Sequence, residues 1–447
     1  MILMPQLMQK SFQKAKKVNF DRLPPIAQSV QNLSDIKIAS VVQQWPSEYI
    51  QDIDESLRKT LANIQLPSAQ NNSVVGIAVG SRGIDRLAHV VRYCVDFLRS
   101  KGFSPVIIPA MGSHGGGNEG GQKEILAAFG ISESSMNVPV LANMDTIQIG
   151  TLAPGFPVFF SKTAIEVDHL VVINRIKSHT KFSGPLESGL CKMLSIGLGK
   201  ATGAGLYHQK AVTDGFFWIE TIAQMIINDY NIMFGLALIE NQNGQLSFIE
   251  AVPGQKIVAR EKKLLIKAKN LMPLIPFDHI DILMIDEIGK NISGIGMDSN
   301  VTGRHRDIVG NVFTKPHIKR IYVRNLSEKT YGNANGIGLA DFIRTRCLNS
   351  IDFESTYMNA LTALSPEKAM IPIFFDTDQQ CLAACLHTIG KVTGRSLRLL
   401  WIANTNCLQR FTVSEALKKD IEKHPAVTQI TDWSPISFDT YGNLLDH

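Results

Sequence analysis

Hydrophobic and polar residues along this chain follow two alternating patterns. Short apolar runs rich in β-branched residues are typical of buried strands, and the longer stretches between them carry apolar residues at helical spacing. In the first half of the chain, the strands predicted in this way are 73–80, 104–112, 169–176 and 232–241, and the helices are 84–102, 119–130 and 217–230. Because strands and helices alternate, the pattern predicts a parallel sheet with helices on both of its faces.

The alternation stops once and then starts again. A basic helix, 260–270, ends at a stretch that contains two prolines, and the second half then contains predicted strands at 279–289, 318–326, 369–375 and 397–404. We therefore predict an α/β protein of two domains with mainly parallel sheets and an active-site cleft between them. The predicted domains are residues 1–273, which carry the candidate chemistry, and residues 274–420. For the final segment, 421–447, one interpretation is that it packs back on the first domain.

The amino-acid composition limits the classes of protein to which this chain can belong. The 447 residues are 45% hydrophobic and 19% charged, which is typical of a globular protein. The net charge is only +5 and no block of Lys or Arg stands out, so we expect no nucleic-acid partner. No apolar stretch reaches the ~20 residues of a membrane-spanning helix, so we expect no membrane partner either. The N-terminus lacks a signal-peptide pattern, and six cysteines in a chain of this length indicate no disulfide framework, so we expect a cytoplasmic protein.

Ionisable residues follow three successive predicted strands of the first domain. In chain order, these candidates are Ser81 and Arg82, then His114 in a glycine-rich loop, then Lys177 and His179. Because ligands of open α/β sheets bind outside the carboxyl ends of the strands, we expect the candidates at one sheet edge. A strand–glycine–helix turn with an arginine suits a phosphate, and imidazole gains or loses a proton near neutral pH.

The stretch 174–208 concentrates further candidates. Lys192 lies in an apolar, helix-like segment, where partial desolvation should lower the pKa of its amine and make it nucleophilic. The glycine-rich segment 197–205 follows a helical pattern rather than a strand, which argues against a dinucleotide-binding loop. His208 ends the stretch. A single lysine or histidine is at least as often structural as catalytic, but the concentration of several at one sheet edge favours a site.

These residues resemble the N-terminal domain of the nickel-pincer-nucleotide-dependent lactate racemases, a family that extends to other 2-hydroxy-acid racemases and epimerases. The resemblance covers roughly residues 20–270 and includes a Ser-Arg turn after the first strand. The four reactive positions are a histidine in a Gly-Ser-His loop, a histidine ahead of Phe-Ser-Gly, a lysine in a Ser-Gly-x-x-Lys motif, and a histidine sixteen residues further on. In this chain they are His114, His179, Lys192 and His208.

Two features depart from the lactate racemases proper. Val79 stands three positions before Arg82, where those enzymes have an aspartate, and about three extra residues separate His179 from Lys192. The segment around Lys192 and the second domain resemble a distinct branch of the family. The resemblance therefore leaves open which 2-hydroxy acid is the substrate.

The resemblance implies how a cofactor would be held. Lys192 would be the covalent attachment point of a nickel-pincer nucleotide, a pyridinium bis-thiocarboxylic acid mononucleotide with Ni. His208 would be the protein ligand to nickel, since imidazole suits nickel(II) and the cofactor supplies the other donors. Ser81 and Arg82 would hold the phosphate of the cofactor.

The implied reaction inverts C2 of a 2-hydroxy acid. Removal of the C2 hydrogen as hydride avoids an unstable carbanion and gives a planar 2-keto acid, and a cofactor must accept the hydride. His114 and His179 would alternate as acid and base for the hydroxyl proton, one on each face. A cation from the second domain would bind the substrate carboxylate, with Lys290 and Asn291 as candidates and Lys177 as a substitute from the first domain.

Two other classes of function remain open from the residues alone. The first is a metal-dependent enzyme that uses His114, His179 and His208 as a three-histidine site, or a nicotinamide-dependent enzyme, without a tethered cofactor. The second is a non-catalytic binding protein that keeps the fold. A binding protein has no need for a desolvated lysine opposite histidines, which argues against the second class.

Overall fold

The architecture follows from a computed structural model that describes residues 33–45, 48–69, 73–152, 155–308 and 310–445. The N-terminal stretch that lacks a signal-peptide pattern lies outside the described residues. The strands in the described parts of the chain are β1 Lys37–Gln43, β2 Val74–Val79, β3 Ser104–Pro109, β4 Thr146–Leu152, β5 Phe156–Ser161, β6 His169–Arg175, β7 Ile232–Glu240, β8 Leu246–Pro253, β9 His279–Ile288, β10 His317–Leu326, β11 Phe342–Arg344, β12 Ile373–Phe375, β13 Leu399–Ile402, β14 Arg410–Ser414, β15 Val427–Gln429 and β16 Ser434–Pro435.

Helices alternate with these strands, as the sequence pattern predicts. The helices in the described ranges are α1 Ile53–Leu61, α2 Leu87–Ser100, α3 Glu119–Ala128, α4 Glu133–Met136, α5 Lys162–Glu166, α6 Leu190–Lys192, α7 Lys200–Asp214, α8 Trp218–Asp229, α9 Ile257–Asn270, α10 Ser299–Thr302, α11 Thr345–Asn349, α12 Phe353–Thr362, α13 Asp378–His387 and α14 Lys418–Lys423. None of the helices in the described ranges combines the length and the apolar character that crossing a bilayer requires.

The smaller sheet belongs to the first domain and has the strand order β3-β2-β6-β7-β8. The first four strands are parallel, and β8 returns antiparallel to β7. The order places β2 between β3 and β6, so the three strands whose ends carry the candidate residues are neighbours. The predicted α/β class with mainly parallel sheets is confirmed.

Alternate residues of β2 pack into two different cores, one on each face of the smaller sheet. Ile77 and Val79 pack with apolar residues of α1 and α2, whereas Ala78 packs with those of α7, α8 and α9. A strand that is covered on both faces needs apolar residues at every position, which explains the continuous apolar run in the sequence.

The larger sheet has nine strands and belongs mainly to the second domain. Its order is β12-β11-β10-β9-β13-β14-β1-β15, with β16 also paired to β1, and the first five strands are parallel. The early strand β1 therefore inserts between two late ones, antiparallel to both. The predicted boundary near residue 274 stays a prediction, but sheet pairing assigns residues 37–43 to the larger sheet.

The C-terminal segment pairs with the larger sheet, and the interpretation that it packs back on the first domain stays a prediction. Strand β15 pairs with β1 of the larger sheet, and the backbone N–H of Leu444 donates to Asp378 of α13 at 2.9 Å. Both contacts join residues that are far apart in sequence, and a local hydrophobic pattern does not indicate them.

Two segments near the candidate residues differ from their predicted form. The helix-like segment around Lys192 is a single turn, α6, followed by a wider π-helical turn, Met193–Gly197. The strand predicted at 369–375 shortens to β12, and residues Pro366–Ala369 before it form a 3₁₀ turn. Such irregular turns aim side chains in directions that simple periodicity does not predict.

Candidate active site

The predicted site residues line one cleft between the two domains. The cavity has a volume of about 1560 Å³, and its walls come from the strand ends of the smaller sheet and from loops of the larger one. The lining includes every candidate from the sequence, namely Ser81, Arg82, His114, Lys177, His179, Lys192, His208, Lys290 and Asn291. Tertiary structure thus brings together residues that are more than 200 positions apart.

The glycine-rich loop after β3 presents His114 to the cleft. Gly115, Gly116 and Gly117 all have positive φ angles, of 67°, 68° and 63°, which glycine adopts without strain. A Cβ on Gly121 would lie 2.1 Å from the carbonyl oxygen of Gly115, so a side chain there has no room. The loop therefore folds back tightly on the start of α3.

His114 contacts the turn after the neighbouring strand. Its Nδ1 forms a short hydrogen bond with Oγ of Ser81. This contact orients the imidazole and leaves Nε2 as the atom for proton transfer. It also joins two of the predicted site residues directly, one from the end of β2 and one from the end of β3.

Buried Glu187 holds the loop that carries His179. Its carboxylate accepts hydrogen bonds from the backbone N–H of His179 at 2.5 Å and of Gly184 at 3.1 Å, and it pairs with the ammonium of Lys269 at 2.6 Å. The Nδ1 of His179 accepts the backbone N–H of Lys181 at 3.1 Å, so the neutral ring carries its proton on Nε2. Sequence reasoning missed Glu187, because its partner Lys269 lies on α9, far along the chain.

Lys192 lies where α6 passes into the π-helical turn, and buried Glu261 braces the start of α6. The backbone N–H of Cys191 donates to Glu261 at 2.8 Å. A Cβ on Gly189 would lie 2.2 Å from Oε1 of Glu261, which explains the glycine three positions before the lysine. The carboxylate thus fixes the direction in which the lysine leaves the helix.

Burial within the protein is the main cause that lowers the pKa of Lys192 to about 7. The positive charges of Arg82 and Lys177 lower the pKa further, and the carboxylate of Glu187 opposes them. About half of the amines are therefore neutral, and hence nucleophilic, near neutral pH. The sequence-based expectation of a lowered lysine pKa agrees with this environment.

His208 lies on α7 and reaches the same cleft. Ala204 lies one turn earlier on the same face of α7. A Cβ added to Gly112 would be only 3.2 Å from the Cβ of Ala204. The helix therefore packs closely against the base of the loop that carries His114. Burial and the charge of Lys192 lower the pKa of His208 to about 4, so its imidazole is neutral at pH 7.

The pKa values of the other two histidines are also below the usual range. Burial in the cleft is the largest cause for both, followed by the charge of Arg82 for His114 and of Lys192 for His179. Both imidazoles are therefore neutral at pH 7, the form in which a histidine takes part in proton transfer near neutral pH. The charge of Lys192 lowers the pKa of all three imidazoles, which indicates that the lysine and the histidines share one electrostatic environment.

The two domains meet at Arg82 and Lys290. A Cβ on Gly294 would lie 3.1 Å from Nη2 of Arg82, and the ammonium of Lys290 donates to the carbonyl of the same glycine at 2.9 Å. Lys290 also donates to Oδ1 of Asn359 at 3.0 Å. Burial, then the charges of Arg82 and Lys368, lower its pKa to about 8. We define Arg82 and Lys290 as the first cationic pole.

The cleft carries an excess of positive charge. Its basic lining residues are Arg82, Arg175, Lys177, Lys181, Lys192, Lys290, Lys368 and Arg410, and its acidic lining residues are Glu240, Asp286 and Asp298. All three acids are paired, Glu240 with Arg175, Asp298 with Lys177 at 3.8 Å, and Asp286 with Arg324 at 2.7 Å. Lys177, the substitute candidate for a substrate carboxylate, thus already has an acidic partner. The remaining charge favours an anionic ligand.

The histidines do not form a metal site on their own. Across the described ranges, no three side chains of His, Cys, Asp or Glu converge to a metal-binding group. A three-histidine metal centre built from His114, His179 and His208 therefore does not fit this arrangement. All six cysteines are described and free.

The reactivity of Lys192 towards an amine-selective reagent tests its environment directly. We expect the rate of labelling, followed residue by residue by peptide mass spectrometry, to rise to half its maximum near pH 7. The exposed Lys123 is the reference for reagent reactivity. A labelling midpoint above pH 9 for Lys192 would contradict the lowered pKa.

The fold and the cleft define a two-domain α/β protein with a cationic, histidine-lined site at the strand ends. No known protein-family profile matches the chain, and no curated protein matches it in sequence. Among solved structures, the chain is similar to the lactate racemase apoprotein from Thermoanaerobacterium thermosaccharolyticum. The identity is 14%, the match covers 83% of this chain and 89% of that one, and the TM-score is 0.45.

Proposed function

We propose that this protein is a racemase or epimerase of a 2-hydroxy acid that uses a nickel-pincer nucleotide tethered to Lys192. The observation that carries the proposal is that the buried amine of Lys192 lies in one cationic cleft with three neutral imidazoles. These imidazoles belong to His114, His179 and His208. A two-base inversion of a small anionic substrate needs two imidazoles, and a tethered metal cofactor needs the amine and the third imidazole.

The residues present fit the implied cofactor. Near pH 7, about half of the Lys192 amines are in the neutral form that covalent attachment requires. His208 offers a single neutral imidazole in the same cleft, which suits a metal whose other donors come from the cofactor itself. When bound, the cofactor supplies a hydride acceptor and donor. Ser81 and Arg82 remain our candidates for its phosphate.

The acid and base roles belong to His114 and His179. Each imidazole is neutral at pH 7 and keeps Nε2 for proton transfer, because Nδ1 contacts Ser81 in one and the backbone of Lys181 in the other. The neutral form of His179 carries its proton on Nε2 and is ready to donate. One histidine removes the proton of the substrate hydroxyl, and the other returns a proton to the oxygen on the opposite face.

The first cationic pole binds an anionic group across the domain boundary. Arg82 and Lys290 adjoin at Gly294, and the charge of Arg82 lowers the pKa of Lys290. A carboxylate or phosphate at this point would relieve the repulsion between two buried cations from different domains. Asn291, which also lines the cleft, supplies an amide beside it. Such binding holds the domains together and excludes water from the reacting groups.

Co-production with the cofactor-synthesis machinery and nickel tests the proposal. We expect intact-protein mass spectrometry to show a nucleotide adduct, peptide mapping to locate it on Lys192, and the purified protein to remove the optical activity of a chiral 2-hydroxy acid. Bound zinc without an adduct, or no change in optical activity across a panel of 2-hydroxy acids despite the adduct, would refute it. The cytoplasmic location stays a prediction.

A further inference from the structure

A second lysine of the larger sheet's domain reaches the cleft at a different point. Lys368 lies in the 3₁₀ turn Pro366–Ala369 and lines the cavity, although its side chain is only 1% exposed. Its charge lowers the pKa of His179 and His208, whereas that of Lys290 lowers the pKa of His114. The charges of the two lysines therefore act on different histidines of the site.

Lys181 beside it has its hydrogen bonds satisfied within the protein. Its ammonium contacts Ser365 Oγ at 3.1 Å, the Ala363 carbonyl at 3.3 Å and the Asp307 carboxylate at 3.2 Å. Lys368 makes only longer contacts, with Ser365 at 3.4 Å and Asp307 at 3.5 Å. An ammonium has three donors, so Lys368 retains capacity for a further acceptor.

The charges around Lys368 favour an added anion. The carboxylates of Asp307 and Glu367 raise its pKa, but burial and the charge of Lys181 outweigh them and lower it to about 8. Asp307 is already shared with His305, at 2.8 Å, and with Lys181. We define Lys368, braced by Lys181 and Ser365, as the second cationic pole.

Both poles contact the C-terminal end of α12. Lys290 of the first pole contacts Asn359 on this helix, and Lys181 of the second contacts Ala363 at its end. Residues four apart in a helix are separated by about 6 Å along the axis. A short-chain molecule with an anionic group at each end spans this distance.

We propose that Lys368 binds a second anionic group of the substrate, so that the substrate is a 2-hydroxy acid with anionic groups at both ends. The inference rests on the proposed function and adds the substrate class to it. A simple monocarboxylate would bind Lys290 of the first cationic pole and leave the spare donor capacity of Lys368 unused. The second group can be a carboxylate or a phosphate, which share the chemistry that a lysine recognises.

Calorimetric titration of the purified full-length protein at pH 7 tests this inference with three ligands. Lactate has one anionic group, malate adds a carboxylate, and 3-phosphoglycerate adds a phosphate. We expect at least one of the last two to bind about 10- to 100-fold more tightly than lactate, as one additional hydrogen bond to a charged group allows. Which of the two binds more tightly identifies the second group.

The variant Lys368→Met assigns the preference to its residue. We expect it to reduce the advantage of malate or 3-phosphoglycerate to less than about threefold while the affinity for lactate stays the same. The matched control is Lys329→Met, at an exposed position in the same domain. Equal binding of all three ligands, or no binding of any, overturns the inference. Thermal melting shows whether the variant folds. If it does not fold, the relative affinities of the wild-type protein for the three ligands decide the inference.

The two proposals fail in different ways. If mass spectrometry finds the adduct on Lys192 but lactate binds as tightly as the other two ligands, the racemase proposal stands and the substrate class is wrong. If the adduct is absent but the preference depends on Lys368, the cleft recognises doubly anionic molecules and the proposed chemistry is wrong.

Discussion

Replacement of His114 or His179 by asparagine is expected to lower the rate of racemisation by roughly 10²- to 10⁴-fold, the usual contribution of a positioned acid or base. Asparagine keeps a polar group of similar size but does not exchange a proton near pH 7. In a single turnover, we expect each variant to form 2-keto acid from one enantiomer and not from the other, because each histidine serves one face. Chiral chromatography of the quenched reaction measures both effects.

The control for the histidine variants is His89→Asn. His89 is a surface residue that contacts Asp54 on α1 and lies outside the cleft. We expect this variant to keep the wild-type rate. Loss of less than tenfold in both cleft variants would show that neither histidine transfers the proton. If a variant forms 2-keto acid equally slowly from both enantiomers in the single turnover, the histidine acts in substrate binding or orientation instead.

Replacement of Lys192 by arginine is expected to abolish both the covalent adduct and the activity. Arginine keeps the positive charge, but its guanidinium stays protonated and is not a nucleophile at neutral pH. The side chain of Lys192 lies in a cleft whose environment already favours the neutral amine, a property that arginine cannot reproduce. Intact-protein mass spectrometry should show only the mass of the unmodified chain, and optical rotation should stay constant.

The control for this variant is Lys210→Arg, on the helix that carries His208. Lys210 pairs with Asp214 at 2.8 Å and does not line the cleft. We expect the adduct and the activity to survive this change. An adduct that persists in the Lys192 variant would move the attachment point elsewhere. Activity without any adduct would refute the covalent tether while leaving the two-histidine chemistry intact.

The sequence predicts the part of the candidate site whose residues directly follow strands. Arg82, His114 and His179 follow apolar runs that form neighbouring parallel strands, and parallel strands present their carboxyl ends at one edge. The glycines around His114 signalled a loop, and the structure gives them positive φ angles. The apolar surroundings of Lys192 signalled a lowered pKa. Each of these signals is local, because neighbouring residues produce it.

Other residues of the site had no local signal. Glu187 looks like an ordinary loop acid until its contacts with His179 and Lys269 are seen. Lys368 falls just before a stretch that the sequence presents as a strand, and only the 3₁₀ turn aims it at the cleft. Sequence reasoning did not single out either residue for this reason.

The sequence by itself determined the α/β class, the two alternating halves and the candidate site residues of the first domain, because hydrophobic periodicity and strand-end position act over short distances along the chain. Only the tertiary structure decided that β1 and the C-terminal segment join the larger sheet, and that Arg82 adjoins Lys290. It also decided the excess of positive charge in the cleft. These features depend on contacts between residues far apart in sequence, and a local pattern carries no information about which distant residue will be the partner.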